Sequence, residues 1–142
     1  MRTSSWIVLA LPFFYIPTAY SVELDVNEGL YDITIQTAMP GMALPEQKMR
    51  ECITQADKKD PQRLMKKGSA SDDCALQNVK QEKDKLSFSI SCPKEKMTGQ
   101  GNYLFAGNTY SGKMQMSIPN PQGGQPMTMT VNTTSKWVGP CK

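Results

Sequence analysis

The chain has 142 residues, carries sixteen Lys and Arg against thirteen Asp and Glu for a formal charge of +3, and contains no histidine. The charges are interspersed rather than blocked, as in Lys80-Gln-Glu-Lys-Asp-Lys85, which leaves no footprint for nucleic acid. Without histidine, neither a Ser/His nor a Cys/His nucleophile can be assembled. The acidic residues gather in the helical region and the charged turns rather than on apolar strand faces, so neither enzyme activity nor a cofactor is expected.

The N-terminus reads as a secretory signal. Arg2 supplies the positive charge, no acidic residue precedes Glu23, and an apolar run extends from Trp6 to Ile16. Pro17 breaks it ahead of Ala19-Tyr20-Ser21, which sets small residues at the two positions a signal peptidase reads. The expectation is a signal peptide over 1–21, cleavage after Ser21, and a single exported β domain over 22–142. The apolar run is shorter than the roughly 20 residues that span a bilayer, and Pro12 and Pro17 interrupt it. No later run is long enough, so no membrane span is expected in the mature chain.

Alternation with period two dominates the remainder, which favours half-buried strands. The first strand is Leu30 to Met39, with Tyr31, Ile33, Ile35 and Met39 on one face and Asp32, Thr34 and Gln36 on the other. A second covers Gln47 to Thr54, with Met49 and Ile53 on one face and Cys52 on the other. One short helix follows: Asp60 suits the N-cap, Pro61 the first helical position and Gly68 the residue beyond the end. The polar loop over 69–73 leads back to strands.

Cys74 to Val79 and Lys85 to Cys92 flank a charged turn. Centred on Lys83, the turn sets Leu76 opposite Ile90 and Cys74 opposite Cys92, pairing apolar residues and cysteines in one register. Gly107-Asn108 is a two-residue signal for a tight hairpin. It sets Phe105 opposite Tyr110, Tyr103 opposite Gly112, Gly101 opposite Met114 and Gly99 opposite Met116. Gly99 and Gly101 let the strand bend or let something approach closely. A final hairpin joins Lys113–Ile118 to Met127–Ser135 through a Pro/Gly-rich loop. A symmetric loop sets Met114 opposite Met129 and Met116 opposite Met127.

The four cysteines are Cys52, Cys74, Cys92 and Cys141. An even count behind an export signal reads as two disulfides. Zinc is disfavoured, because no close Cys pair and no histidine is present. Four cysteines allow three connectivities. The hairpin register selects Cys74–Cys92, which leaves Cys52–Cys141. Sequential strands with one apolar face each must curl on themselves or on a second sheet. The expected fold is mostly β: an antiparallel meander forming a small barrel or half-barrel, with a two-sheet sandwich as the alternative, one short helix and two disulfides.

Several segments together resemble a family of exported bacterial proteins catalogued as domain of unknown function 3617. They are Gly29-Leu-Tyr-Asp-Ile-Thr34, Cys52-Ile-Thr54 followed by Asp57, Thr98-Gly-Gln-Gly101, Tyr110-Ser-Gly-Lys-Met-Gln-Met116 and Lys136-Trp-Val-Gly-Pro-Cys141. The resemblance covers nearly all of the mature chain and implies a periplasmic address. It brings no activity, substrate or catalytic residue with it.

The unusual feature of the composition is its ten methionines. Met114, Met116, Met127 and Met129 are expected on one face of the last hairpin. Thioether sulfur is soft and ligates Cu(I), but methionine also fills irregular cores and lines adaptable surfaces. Two functions follow as expectations. One is a non-catalytic binding module that takes a small apolar ligand or an envelope protein partner into its curled sheet. The alternative is a Cu(I) binder using the methionine face.

Overall fold

A computed structural model describes residues 23–67 and 73–142. The expected signal peptide and its cleavage point after Ser21 lie outside the described residues, as does most of the loop expected over 69–73. The elements run β1 (Gly29–Met39), β2 (Met42–Ala43), β3 (Gln47–Ile53), α1 (Gln55–Lys59), α2 (Pro61–Lys67) and β4 (Ala75–Glu82). They continue with β5 (Lys85–Cys92), β6 (Met97–Phe105), β7 (Thr109–Ile118) and β8 (Met127–Gly139).

Strands β4 to β8 form an antiparallel meander, β8 pairs with β1, and β1 pairs with β3 on its other side and with β2 at its far end. This is the circular order of an up-and-down barrel, broken between β3 and β4. The half-barrel is therefore the form observed. The barrel does not close, and one sheet stands where a sandwich would need two.

The break has a physical cause. Between β3 and β4 the chain passes through both helices, and α2 side chains satisfy polar groups at the two open edges. Gln62 Nε2 donates to the Cys74 carbonyl at 3.1 Å, and the Leu76 N–H donates to Gln62 Oε1 at 2.7 Å. Lys67 Nζ donates to the Cys52 carbonyl at 2.8 Å. Edge groups satisfied in this way do not need a neighbouring strand.

Two helices stand where one was expected. α2 has the expected bounds, and the Asp60 carboxylate accepts from the N–H groups of Gln62 at 3.0 Å and Arg63 at 3.3 Å. α1 is additional. It is five residues long, too short to show a helical period, and begins with a capping box between Thr54 and Asp57. Thr54 leaves the end of the expected strand to become that cap.

The concave face carries the core: Tyr31, Ile33, Ile53, Leu86, Phe88, Phe105 and Tyr110 are all buried. The segment before β1 closes one end, with Leu24 and Val26 each 1% exposed. The Leu24 N–H donates to the Lys58 carbonyl, and the Tyr31 hydroxyl sits at 2.8 and 2.9 Å from the carbonyls of Asn27 and Gly107.

The β6–β7 register is the expected one at every pair, from Phe105 opposite Tyr110 to Gly99 opposite Met116. In β4–β5 the register next to the turn is one residue off the expected one, with Glu82 opposite Lys85. A bulge between Gln77 and Lys80, where Asn78 adopts φ +50°, restores the register, so Leu76 does oppose Ile90. The β7–β8 register differs from expectation by two residues: Ile118 opposes Met127, Met116 opposes Met129 and Met114 opposes Val131. An even shift keeps every side chain on its face, so the apolar pattern alone could not exclude it. Both expected disulfides form. Cys74–Cys92 spans a Cα separation of 4.1 Å, and Cys52–Cys141 ties the end of β3 to the tail beyond β8 across 5.7 Å.

Candidate functional site

Because the sheet curls, alternate residues from β1, β3 and β5 to β8 face a common cavity of about 430 Å³. That lies within the range of small-molecule sites, roughly 300–1,000 Å³. Pro61, Leu64 and Met65 of α2 wall the side where the sheet is open. Toward the end closed by Leu24, the lining is aromatic and hydroxylated: Tyr103, Phe105, Tyr110 and Thr133. The Tyr103 and Tyr110 ring centroids lie 6.1 Å apart, and the Tyr103 hydroxyl is 3.4 Å from Thr133 Oγ1. Burial pushes both phenols above their usual range, so they remain neutral hydroxyls at physiological pH. Glu51 also lines the cavity and is ion-paired with Lys67 at 3.6 Å. This corrects the expectation that no carboxylate stands on an apolar strand face.

Toward the other end the lining is sulfur-rich. Of the four methionines singled out, Met114, Met116 and Met129 line the cavity. They do not form a compact quartet with Met127, which stands one row further out opposite Ile118, while Met114 stands one row deeper opposite Val131. Met49, Met65 and Met97 complete the lining. The strand period puts Met49 on the face of Ile53, and Met97 shares the inward face of β6 with Tyr103, but only the packing of α2 over the open side brings Met65 to the cavity. Gly99 and Gly101 leave no gap beside the methionines: Met116 and Ile90 pack over Gly99, and Phe88 over Gly101.

Titratable metal ligands do not assemble here. Among the described residues, the group close enough to hold an ion is Cys74, Cys92 and Glu95, and both sulfurs are consumed by the disulfide.

A second polar cluster lies under the helices. Asp57 is 0% exposed. Its carboxylate accepts from Lys67 Nζ at 2.7 Å, Arg63 Nε at 3.0 Å, the Thr54 N–H at 2.8 Å and the Thr54 hydroxyl at 2.7 Å. Burial by itself would raise its pKa, but the Lys67 ammonium and the two Thr54 donors outweigh it and hold the carboxyl at about 2. With both oxygens hydrogen-bonded, Asp57 fastens both helices to the end of β3.

The family model described as "Protein of unknown function (DUF3617)" matches residues 26–141. The chain belongs to this family. No curated protein and no solved structure matches it. In this DUF3617 chain the segments that carried the resemblance each have a structural role. Thr54 and Asp57 form the capping box and the buried ion cluster. Gly29, at φ +143°, lies where a Cβ would overlap Trp137, whose indole N–H donates to the Glu28 carbonyl at 3.0 Å. Gly112 lies under the Tyr103 ring, where a Cβ would overlap it. The cavity lies on the concave face of this DUF3617 domain.

Proposed function

We propose that this protein is a non-catalytic binding module of the periplasm, exported through a cleaved signal peptide, that takes a small apolar ligand into the half-barrel. The observation that carries this reading is the cavity of about 430 Å³ lined by methionine, aliphatic and aromatic side chains, with a few hydroxyls at one end. Apolar walls with a small number of polar groups are the usual make-up of a small-molecule site. A non-catalytic role is supported by the lack of histidine, by two disulfides and by the committed state of Asp57. No helix among the described residues is long and apolar enough to cross a membrane.

The test uses N-phenyl-1-naphthylamine, a neutral apolar dye that fluoresces out of water. The parent protein is expected to bind it with saturable, one-to-one stoichiometry. Val131→Trp, which fills the cavity from β8, is expected to weaken that binding at least about tenfold, or ~1.4 kcal/mol. Equal binding by parent and variant, both folded by circular dichroism, would overturn the reading.

A further inference from the structure

Every methionine among the described residues lies on the concave side of the sheet. Six line the cavity, Met127 opposes Ile118 on the same face, and Met39 and Met42 are placed by the β1 pairings. Thr37 opposes the cavity-lining Val131, and Ala38 opposes Thr130. Continuing that ladder by one residue sets Met39 level with Met129. Met42 opposes Met39 across the β1–β2 hairpin, and Met129 opposes Met116. Four methionines on four adjacent strands therefore form one cross-strand row at the mouth of the half-barrel: Met42, Met39, Met129, Met116.

Core packing explains part of this row. Met116 is 6% exposed and belongs to the cluster that includes Cys92 and Ile90. It does not explain the other end, because Met42 is 57% exposed and Met39 is only half-buried. Directly opposed strand residues start with Cβ atoms about 4.5–5.5 Å apart, and methionine has three rotatable bonds beyond its Cβ-bearing backbone position to bring its sulfur inward. Neighbouring thioethers in one row can therefore converge on a single ion. An all-thioether set without histidine, thiolate or carboxylate favours a soft monovalent cation over zinc, calcium or magnesium.

We propose that Met39, Met116 and Met129 form a Cu(I) site at the mouth of the half-barrel, with Met42 as a flanking fourth thioether. The site stands independently of the apolar-ligand reading, since leucine in place of methionine keeps the apolar surface and removes only the sulfur. The test is competition for Cu(I) against bicinchoninate, without oxygen and with ascorbate as a reductant that spares the disulfides.

The parent is expected to withdraw one equivalent of Cu(I). Met39→Leu and Met129→Leu are each expected to weaken the binding roughly 10–100-fold, as loss of a metal-supporting group does; Met39→Leu, at a position outside the cavity lining, is expected to leave N-phenyl-1-naphthylamine binding within about twofold, or ~0.4 kcal/mol. Met49→Leu, in the cavity but outside the row, is expected to leave Cu(I) binding unchanged. Failure of the parent to compete, or parent-like Cu(I) affinity in the Met39→Leu/Met129→Leu double variant, would overturn the site. Met39 is half-buried on the hairpin rim, so Met39→Leu alone still decides the matter if the double variant does not fold.

Discussion

The Asp57 carboxylate, fully removed from solvent, accepts a 2.7 Å bond from the Lys67 ammonium and so joins the start of α1 to the last turn of α2. Its pKa is held at about 2, below the ordinary 3.8. A folded-state pKa that is depressed contributes stability that is present in full above the unfolded value and is lost as pH falls through the folded one. The difference corresponds to about 2 kcal/mol. The parent is therefore expected to lose about that much between pH 4 and pH 2 through this group. Asp57→Asn should lack that component and should cost about 3 kcal/mol at neutral pH, because it leaves buried donors without their anion. Urea melts of both proteins across this pH range are the measurement, and identical acid slopes would contradict the assignment.

The two disulfides differ in access. Cys92 is 0% and Cys74 7% exposed, whereas Cys141 lies in an exposed tail. Dithiothreitol under native conditions is expected to reduce Cys52–Cys141 first. That bond closes the longer loop, with a sequence separation of 89 against 18. Its loss is expected to cost about 4 kcal/mol, against about 3 for Cys74–Cys92, on the chain-entropy account. Timed alkylation followed by peptide mapping gives the order.

Gly112 and the ring of Tyr103 occupy the same stretch of the inner face, opposed across β6 and β7. Gly112→Ala is expected to destabilise by about 1–3 kcal/mol through overpacking. In a background of Tyr103→Leu the same change should cost far less, since the ring it strikes is gone. A thermodynamic cycle from denaturant melts reads the coupling directly, and additive costs would show that the ring is not the obstacle.

Met116 belongs to the core, and Met42 to the rim. Met116→Ala is expected to cost about 2–5 kcal/mol, and the nearly volume-conserving Met116→Leu less than about 1.5. Met42→Leu, at an exposed position, should stay within about 0.5 kcal/mol of the parent. Thermal melts of the three variants separate a packing role from the thioether role assigned to the row.

The exported protein is expected to begin at Val22, a consequence of the small residues Ala19 and Ser21 behind Pro17. Leu24 is already buried two residues further on, so a start beyond Leu24 would strip part of the segment that closes one end of the cavity. N-terminal sequencing of the protein produced from the full-length gene decides the point, and a chain that still begins at Met1 would contradict it.

How much of this was legible in the sequence depended on the distance over which each feature is decided. Gly107-Asn108 holds its own turn, so the pairing of Phe105 with Tyr110 and of Tyr103 with Gly112 followed from local geometry. The period-two pattern determined which residues face inward, because the pleat leaves no other choice. Register across the eight-residue loop after Ile118 had no such local determinant. A shift of two leaves every apolar residue on its face, so the pattern could not choose between the two registers, and the folded sheet sets Met116 opposite Met129. α1 is too short to show a period and depends on its cap and on a carboxylate buried by α2.

By itself the sequence determined the inward face of the longer strands, through their alternation, and a connectivity for the four cysteines, since one hairpin register pairs Cys74 with Cys92 and leaves Cys52 with Cys141. The break between β3 and β4, the cavity it leaves and the row from Met42 to Met116 were decided only in the tertiary structure. They depend on which strands become neighbours, and β1 meets β8 across nearly the whole length of the domain.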